Sequence, residues 1–305
     1  MALVNALVIV AALAAIATVL LTRAHGAIDR LEGERNTAQT VLYLDAAEAL
    51  VAQALAGAST PHHAQQGWAQ PRRDEAIDRG HVDWQVDDLQ GRFNLNWLTT
   101  HAGGDGWDAG AALDRLLQAL DLPITPRLAD ALSADRRRRQ SAFSGTGQAP
   151  PPLPLDLVRQ LHGLPGLDAG TWRRLAPHLS ALPAESALNV NTASRPVLSA
   201  VLPMLDERAL DALEAHRRER AFESDDDFIA WVEETLDILL TPENGNAEEE
   251  LEEAVALPPL SGHSDWFEAR LQARLDSVVL RRTVVLHRDR PGAAARAHLT
   301  WHESD

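Results

Sequence analysis

The chain contains no cysteine and no lysine; all 28 of its basic residues are arginine. Without cysteine there is no disulfide framework and no thiolate metal or redox chemistry within the chain. A basic excess is missing too. The 44 acidic residues outnumber the basic ones, for a formal charge of −16 and a pI near 5.1. That excludes a general nucleic-acid binder, because phosphate contacts need a basic face. No phosphate-binding glycine loop and no G-x-S-x-G stretch is present, so those nucleotide and nucleophile settings are excluded as well. The twelve histidines are scattered, and His62-His63 reads as a solvated pair in a polar loop. What remains is a globular composition, 45% apolar and 24% charged, in 305 residues that can form two domains.

Charge is also absent from residues 1–22, MALVNALVIVAALAAIATVLLT, whose only polar side chains are Asn5, Thr18 and Thr22. At about 1.5 Å per residue this is roughly 30 Å of helix, enough to cross a bilayer core. A buried core helix is one alternative. A cleaved secretory signal is another, but it opens with a basic region and has a shorter apolar stretch, whereas here the apolar run begins at residue 1. Further on, Ile28, Leu31, Ala38, Leu42, Ala46, Ala49 and Leu50 recur near helical spacing. That predicts one helix continuing to about residue 55, amphipathic in its second half and available to cover a sheet.

The sheet is read from alternation. After a turn-rich loop from Gly57 to Pro71, HVDWQVDD places Val82, Trp84 and Val86 on one face. Alternation returns from Asp265, where Phe267, Ala269, Leu271, Ala273 and Leu275 share a face. SVVLRRTVVLHRD and ARAHLTWHE give two more strands, with turns at Asp276-Ser277 and Asp289-Arg290-Pro291-Gly292. The segment between is helical in pattern: Leu113, Leu116, Leu117 and Leu120, a break at Pro123 and Pro126, then Leu128 and Leu132, with a linker at 144–154. Two echoes stand out. LPGLDAGTWRRL (164–175) matches LPMLDERALDAL (202–213) at an offset of 38, and Asn94-Leu95-Asn96 is repeated as Asn189-Val190-Asn191. Asn191 and Thr192 are expected to cap a helix that holds Pro196 in its first turn. The stretch DLQGRFNLNWL (88–98) is the doorway from the sheet, with Gly91 relaxing the backbone and Phe93, Leu95 and Trp97 pinning two domains together.

This order of elements resembles the type IV pilin-like proteins, and within them the K-class minor pseudopilins of type II secretion, the general secretion pathway protein K family. The resemblance implies an α+β fold: a long N-terminal helix (1–55, of which 1–22 is transmembrane) on a small antiparallel pilin-like sheet (56–92 and 260–305), with an inserted all-α domain (93–259). It implies Met1 as the processed, N-methylated terminus, with Leu7 and Leu13 on the assembly helix. Most members carry Glu at the fifth mature position, paired with a neighbour's terminal amine; here that residue is Asn5. An unpaired carboxylate in a bilayer costs several kcal/mol, so its loss suits a tip subunit with nothing above it. The implied partners are the I, J and H classes of minor pseudopilin and the inner membrane, with secreted cargo or the outer-membrane secretin as further contacts and no nucleic acid. The bulk of the chain is expected in the periplasm, in a role in protein export without enzymatic turnover.

Residues 188–232 further resemble a SAM-like or helix-hairpin-helix unit. Its hairpin, Pro203-Met204-Leu205-Asp206-Glu207, has no glycine and carries two carboxylates, which speaks against DNA binding and for a structural unit.

Three acidic places could offer oxygen ligands to Ca2+. Gly103 to Asp108 matches one copy of a Ca2+-binding repeat that works by stacking, Glu223 to Asp227 is more cheaply read as a helix cap, and Thr241 to Glu250 gathers carboxylates and amides around a turn that reads first as a solvated acidic loop. The resemblance associates Ca2+ with the helical domain without assigning ligands; the residues themselves suggest a site within 223–250, with Asp225, Asp226, Asp227, Glu243, Asn246 and Glu248 as candidate ligands. Two other functions compete: a membrane-anchored helix-hairpin-helix binding module, as in DNA uptake, and an anchored periplasmic enzyme.

Overall fold

The structure, a computed structural model, describes residues 2–100, 107–122, 168–236, 257–288 and 297–304. Helix α1 runs from Ala2 to Ala56 without a break, about 80 Å at 1.5 Å per residue. In its second half it buries Thr40, Tyr43, Leu44, Ala47, Val51 and Leu55 at helical spacing. Burial of the four larger apolar side chains contributes roughly 2 kcal/mol each. The stripe expected to cover the sheet does not do so. Ile28, Leu31, Leu42 and Leu50 are exposed, as are Ala38 and Ala49. Leu31, Ala38, Leu42 and Ala49 lie about 180° around the helix from the buried row. Two apolar stripes share this half, and periodicity alone cannot choose between them.

The sheet is five-stranded and antiparallel, in the order β1(Arg72–Ile77), β2(Gly80–Asp88), β7(Trp266–Leu275), β8(Val278–Arg288), β9(Ala297–Ser304). Val82 and Val86, then Phe267, Ala269, Leu271, Ala273 and Leu275, face α1 and form one core with it, and Trp84 packs against that core. The turn at Asp276-Ser277 lies where alternation ends, with Asp276 at a φ of 51°; the expected turn at 289–292 lies outside the described residues. Strand β1 was hidden in the sequence because RRDEAI is charged. It is an edge strand, with an irregularity between Arg72 and Glu75 and Asp74 at a φ of 58°, features that protect an open edge.

The β1–β2 and β7–β8 hairpin tips abut the middle of α1. Asn36 donates to Asp276 (3.0 Å), and the Tyr43 hydroxyl to Asp78 (3.2 Å). The Tyr43 ring lies over Gly80, where a Cβ would meet it at 2.6 Å. Arg282 fastens the centre, 2.6 Å from Asp45 and 3.1 Å from Glu48. The opposite ends of β2 and β7 meet the loop after α1 and carry the helical lobe. The lobe therefore sits at the end of the sheet away from the apolar N-terminal half of α1.

Within the lobe, two pairs of two-residue parallel strands, β3(Phe93–Asn94) with β4(Leu179–Ser180) and β5(Leu188–Asn189) with β6(Leu260–Ser261), bracket the helices. Between the first pair lie α2(Trp97–Thr100), α3(Ala109–Ala119) and α4(Ala169–Leu175); between the second lie α5(Arg195–Val201), α6(Glu207–Glu219) and α7(Asp225–Leu236). The Leu-Asp echo is a repeated N-cap. Asp168 accepts from the Gly170 and Thr171 amides, and Asp206 from Ala209 N. Pro196 opens α5 as expected, but Asn191 and Thr192 do not cap it; the cap position is Ser194, which makes no side-chain cap bond. Phe93, Leu95 and Trp97 belong wholly to the lobe's own core and do not bridge to the sheet core. The helical expectations at 123–139 and the linker at 144–154 lie outside the described residues.

Candidate functional site

The Asn-x-Asn echo is a repeated clasp. In the first copy Asn94 Oδ1 accepts from the amides of Asn96 (3.1 Å) and Leu182 (3.0 Å), while Asn96 Nδ2 donates to Leu182 O (2.6 Å). In the second, Asn189 Oδ1 accepts from Asn191 N (3.0 Å), and Asn191 Nδ2 donates to Phe222 O and Gly262 O (2.9 and 3.0 Å). Each first Asn ends a short parallel strand, and each second Asn ties it to a segment distant in sequence. Burial makes these bonds decisive, because an orphaned amide in such a place costs about 1–3 kcal/mol.

The second clasp joins the lobe to the sheet through Asp88. Its carboxylate accepts from Ser264 Oγ (2.6 Å), Thr192 Oγ1 (2.6 Å), Asn189 Nδ2 (3.0 Å) and Gln90 N (2.8 Å). Burial pushes the Asp88 carboxyl above its ordinary range, against these four bonds, which hold it down. Gln90 adds a second hub: its Nε2 donates to Ala187 O (2.8 Å), and its Oε1 accepts from the Asp265 amide (2.6 Å). Gly91 is required by proximity, since a Cβ there would lie 2.8 Å from Thr192 Oγ1 and 2.9 Å from Thr192 O.

His62 is the largest departure from expectation. It is fully buried, not solvated. Its Nδ1 accepts from Ser264 N (3.0 Å), its Nε2 lies 2.6 Å from Arg288 Nη1, and its ring packs edge-on to Trp68 and Phe267. Burial first, then the Arg288 charge and the neighbouring His263 and His63, lower its pKa to about 3. Ser264, His62 and Asp88 thus meet, but not as a nucleophile triad. The imidazole touches the serine amide, and the serine hydroxyl is spent on Asp88.

A cleft of about 700 Å3 lies beside the junction, lined by Trp68, Asp88, Gly91, Arg92, Trp172 and His178 among others. Its rim charges are paired, with Arg92 at 3.5 Å from both Asp87 and Glu268.

The second feature is the open face of α1. Asn5, Leu7 and Leu13 are exposed, as are Ile16, Leu20, Leu31 and Leu42. The helix is long and apolar enough to cross a membrane, and that apolar stretch is uncovered in the structure. Met1 lies outside the described residues.

Of the candidate Ca2+ ligands, Asp225, Asp226 and Asp227 stand together in the first turn of α7. Asp227 accepts from Glu223 N (3.0 Å) while its own amide donates to Ser224 Oγ (3.1 Å), a reciprocal cap. Among the described residues no group of three or more acidic or imidazole side chains could hold a metal ion, so those three aspartates do not form a site by themselves. Glu243, Asn246 and Glu248 lie outside the described residues, as does most of Gly103 to Asp108. Asp108 itself caps α3, accepting from Gly110 N (2.7 Å) and Ala111 N (3.3 Å).

Two sequence profiles of one family, described as type II secretion system (T2SS), protein K, match residues 91–184 and 188–237. The second begins at Leu188, the first residue of β5, so the profiles divide where the structural repeat does. Among curated proteins, the type II secretion system protein K of Pseudomonas aeruginosa is 33% identical over 181 residues, 54% of each chain. That of Pectobacterium carotovorum is 25% identical over 322 residues, 94% of this chain and 91% of its own. That of Klebsiella pneumoniae is 32% identical over 179 residues, 51% and 52% of the two chains. The match therefore spans about half the length of the Pseudomonas and Klebsiella relatives. One chain of the crystal structure of the GspK-GspI-GspJ complex from the enterotoxigenic Escherichia coli type 2 secretion system shares the fold. The TM-score is 0.60 at 22% identity, covering 90% of this chain and 99% of that one.

Proposed function

We propose that this chain, which belongs to the protein K family of the type II secretion system, acts as a minor pseudopilin at the tip of the secretion pseudopilus. The observation that carries this reading is the second apolar stripe of α1. Leu31, Ala38, Leu42 and Ala49 continue the exposed apolar N-terminal half past the membrane, on the side of the helix away from the sheet. An exposed apolar stripe of that length marks an interaction surface, of the kind another helix covers. Its occupants are the N-terminal helices of other minor pseudopilins, packed side by side. The relative crystallised as GspK-GspI-GspJ supports partners of the I and J classes, and the H class completes the set.

The anchor lies in the inner membrane as a single span, with the sheet and lobe in the periplasm. Asn5 stands where most pilin-like subunits present a carboxylate to a subunit above, and its neutral side chain suits a terminal position. The lobe sits at the far end of the sheet from the membrane, where it blocks further stacking and faces the secretin and cargo. Its α5–α6 pair, of helix-hairpin-helix type, serves as scaffold. Arg195 is held there by Glu207, and by Asp211 at 2.8 Å, which leaves the hairpin acidic and unsuited to phosphate. A Ca2+ site within 223–250 would draw on Glu243, Asn246 and Glu248 and would supply structural cross-linking of the lobe.

The test is replacement of Leu31 and Leu42 by Arg in the full chain. Both side chains are exposed, so the isolated protein should keep its circular dichroism and melting temperature. Co-purification with I- and J-class partners should be lost, together with export. Undiminished co-purification would refute the assignment of the stripe.

A further inference from the structure

We propose that Asp88 and Gln90 form a rigid coupling that holds the helical lobe in one orientation on the anchored body, so that displacement of α1 reaches the lobe without an intervening hinge. Two segments cross between sheet and lobe, 89–92 after β2 and 262–265 before β7, and a third, the loop 181–187 between the lobe strands β4 and β5, lies against the seam. Connections of this length ordinarily supply the few residues that absorb a domain rotation. Here the same two side chains pin all three.

On the first crossing, Gln90 N donates to Asp88 Oδ1 (2.8 Å), and Gly91 is wedged against Thr192. On the 181–187 loop, Gln90 Nε2 holds Ala187 O (2.8 Å), and just beyond it Gln90 O accepts from Asn189 N (3.0 Å). On the second crossing, Ser264 Oγ donates to Asp88 Oδ2 (2.6 Å), while the amides of Asp265 and Trp266 donate to Gln90 Oε1 (2.6 and 3.3 Å). The loop after α1 is drawn into the same knot. Asn189 Nδ2, already on Asp88, also donates to His62 O (3.1 Å), and His62 N donates to Gly262 O (3.1 Å). Turning any one crossing would therefore orphan several enclosed polar groups at once. The seam also holds a small apolar cluster of Leu89, Leu182 and Val285; an apolar contact alone can slide, whereas these bonds are discrete and directional. Outside the knot, the pairing of Arg92 with Asp87 and Glu268, at 3.5 Å each, spans the same seam.

The transmission role rests on the tip-subunit reading, but the coupling is measured without it. The chain has no cysteine, so spin labels can be placed at will. One pair is set at Ser277 on the body and Ala215 on the lobe, both exposed. A control pair is set at Ala119 and Ala215, both within the lobe and exposed. In the full detergent-solubilised chain, pulsed-dipolar distances should be single and narrow for both pairs. In D88A, and more mildly in Q90A, the body–lobe pair should gain a second, displaced population while the lobe pair stays narrow. In cells, the same variants should still co-purify with partners but lose export. An unchanged body–lobe distance in both variants would overturn the coupling. So would equal broadening of the lobe pair, which would make these residues supports of the lobe's own fold. Full export by a variant with loosened orientation would overturn transmission. Failure of the tip-subunit reading would show elsewhere, as partner binding that survives the Leu31 and Leu42 replacements.

Discussion

Acid should unfold this protein through His62. The imidazole is fully buried, and its folded pKa of about 3 against an ordinary 6.5 means that the native state holds it neutral. Both ring nitrogens face donors, the Ser264 amide and the Arg288 guanidinium, so a second ring proton has no acceptor. The sign follows from linkage. A depressed pKa contributes stability that is fully present above pH 6.5 and is lost as pH falls from there toward 3. At 1.36 kcal/mol per unit, the loss between pH 7 and pH 5 is about 2 kcal/mol. Asp88 acts in the opposite direction, because burial raises its pKa and its protonation on acidification favours the fold. The two are separated by difference. Denaturant unfolding of the full chain, followed by tryptophan fluorescence because Trp68 packs on the His62 ring, should show the loss in the wild type. The slope should flatten in His62→Gln, which is less stable at pH 7 but cannot titrate. Equal slopes in the two proteins would refute the assignment to His62.

Three further outcomes are expected. Leu44→Ala on the buried stripe of α1 should cost about 2–5 kcal/mol, read as a lowered unfolding midpoint, whereas Leu42→Ala two residues earlier should leave the midpoint unchanged. Gly91→Ala should destabilise by about 1–3 kcal/mol through overpacking against Thr192, and pairing it with Thr192→Ser, which keeps the oxygen, should not restore stability. Isothermal calorimetry with Ca2+ should give saturable binding that weakens when Glu243, Asn246 and Glu248 are replaced together; no heat, and no rise in melting temperature with Ca2+, would remove the metal from this protein.

The parts legible in the sequence were those governed by local periodicity. Val82 and Val86, and the row from Phe267 to Leu275, alternate at the period of a strand and are buried on one face. The uncharged run of residues 1–22 marks a helix fit for a bilayer by length and composition, whereas the Leu-Asp echo was visible only as letters until Asp168 and Asp206 were seen to cap helices. Contacts between distant segments were not legible. Nothing local distinguishes the stripe of Leu44 and Val51 from that of Leu31 and Leu42, since both have helical spacing; only the position of the sheet decides which is core. His62 looked solvated because its neighbours in the chain are polar, but it is buried by Trp68, Phe267 and Arg288, two of which lie more than 200 residues away. The Asn-x-Asn repeat was visible as letters, while its meaning as a clasp depends on Leu182, Phe222 and Gly262. The sequence by itself thus determined the anchor, the strands and the order of the elements, because each depends on neighbours a few residues apart. Which helix face stays open for partners, and how the lobe is fastened to the body, were decided only when the tertiary fold brought separate segments within hydrogen-bonding distance.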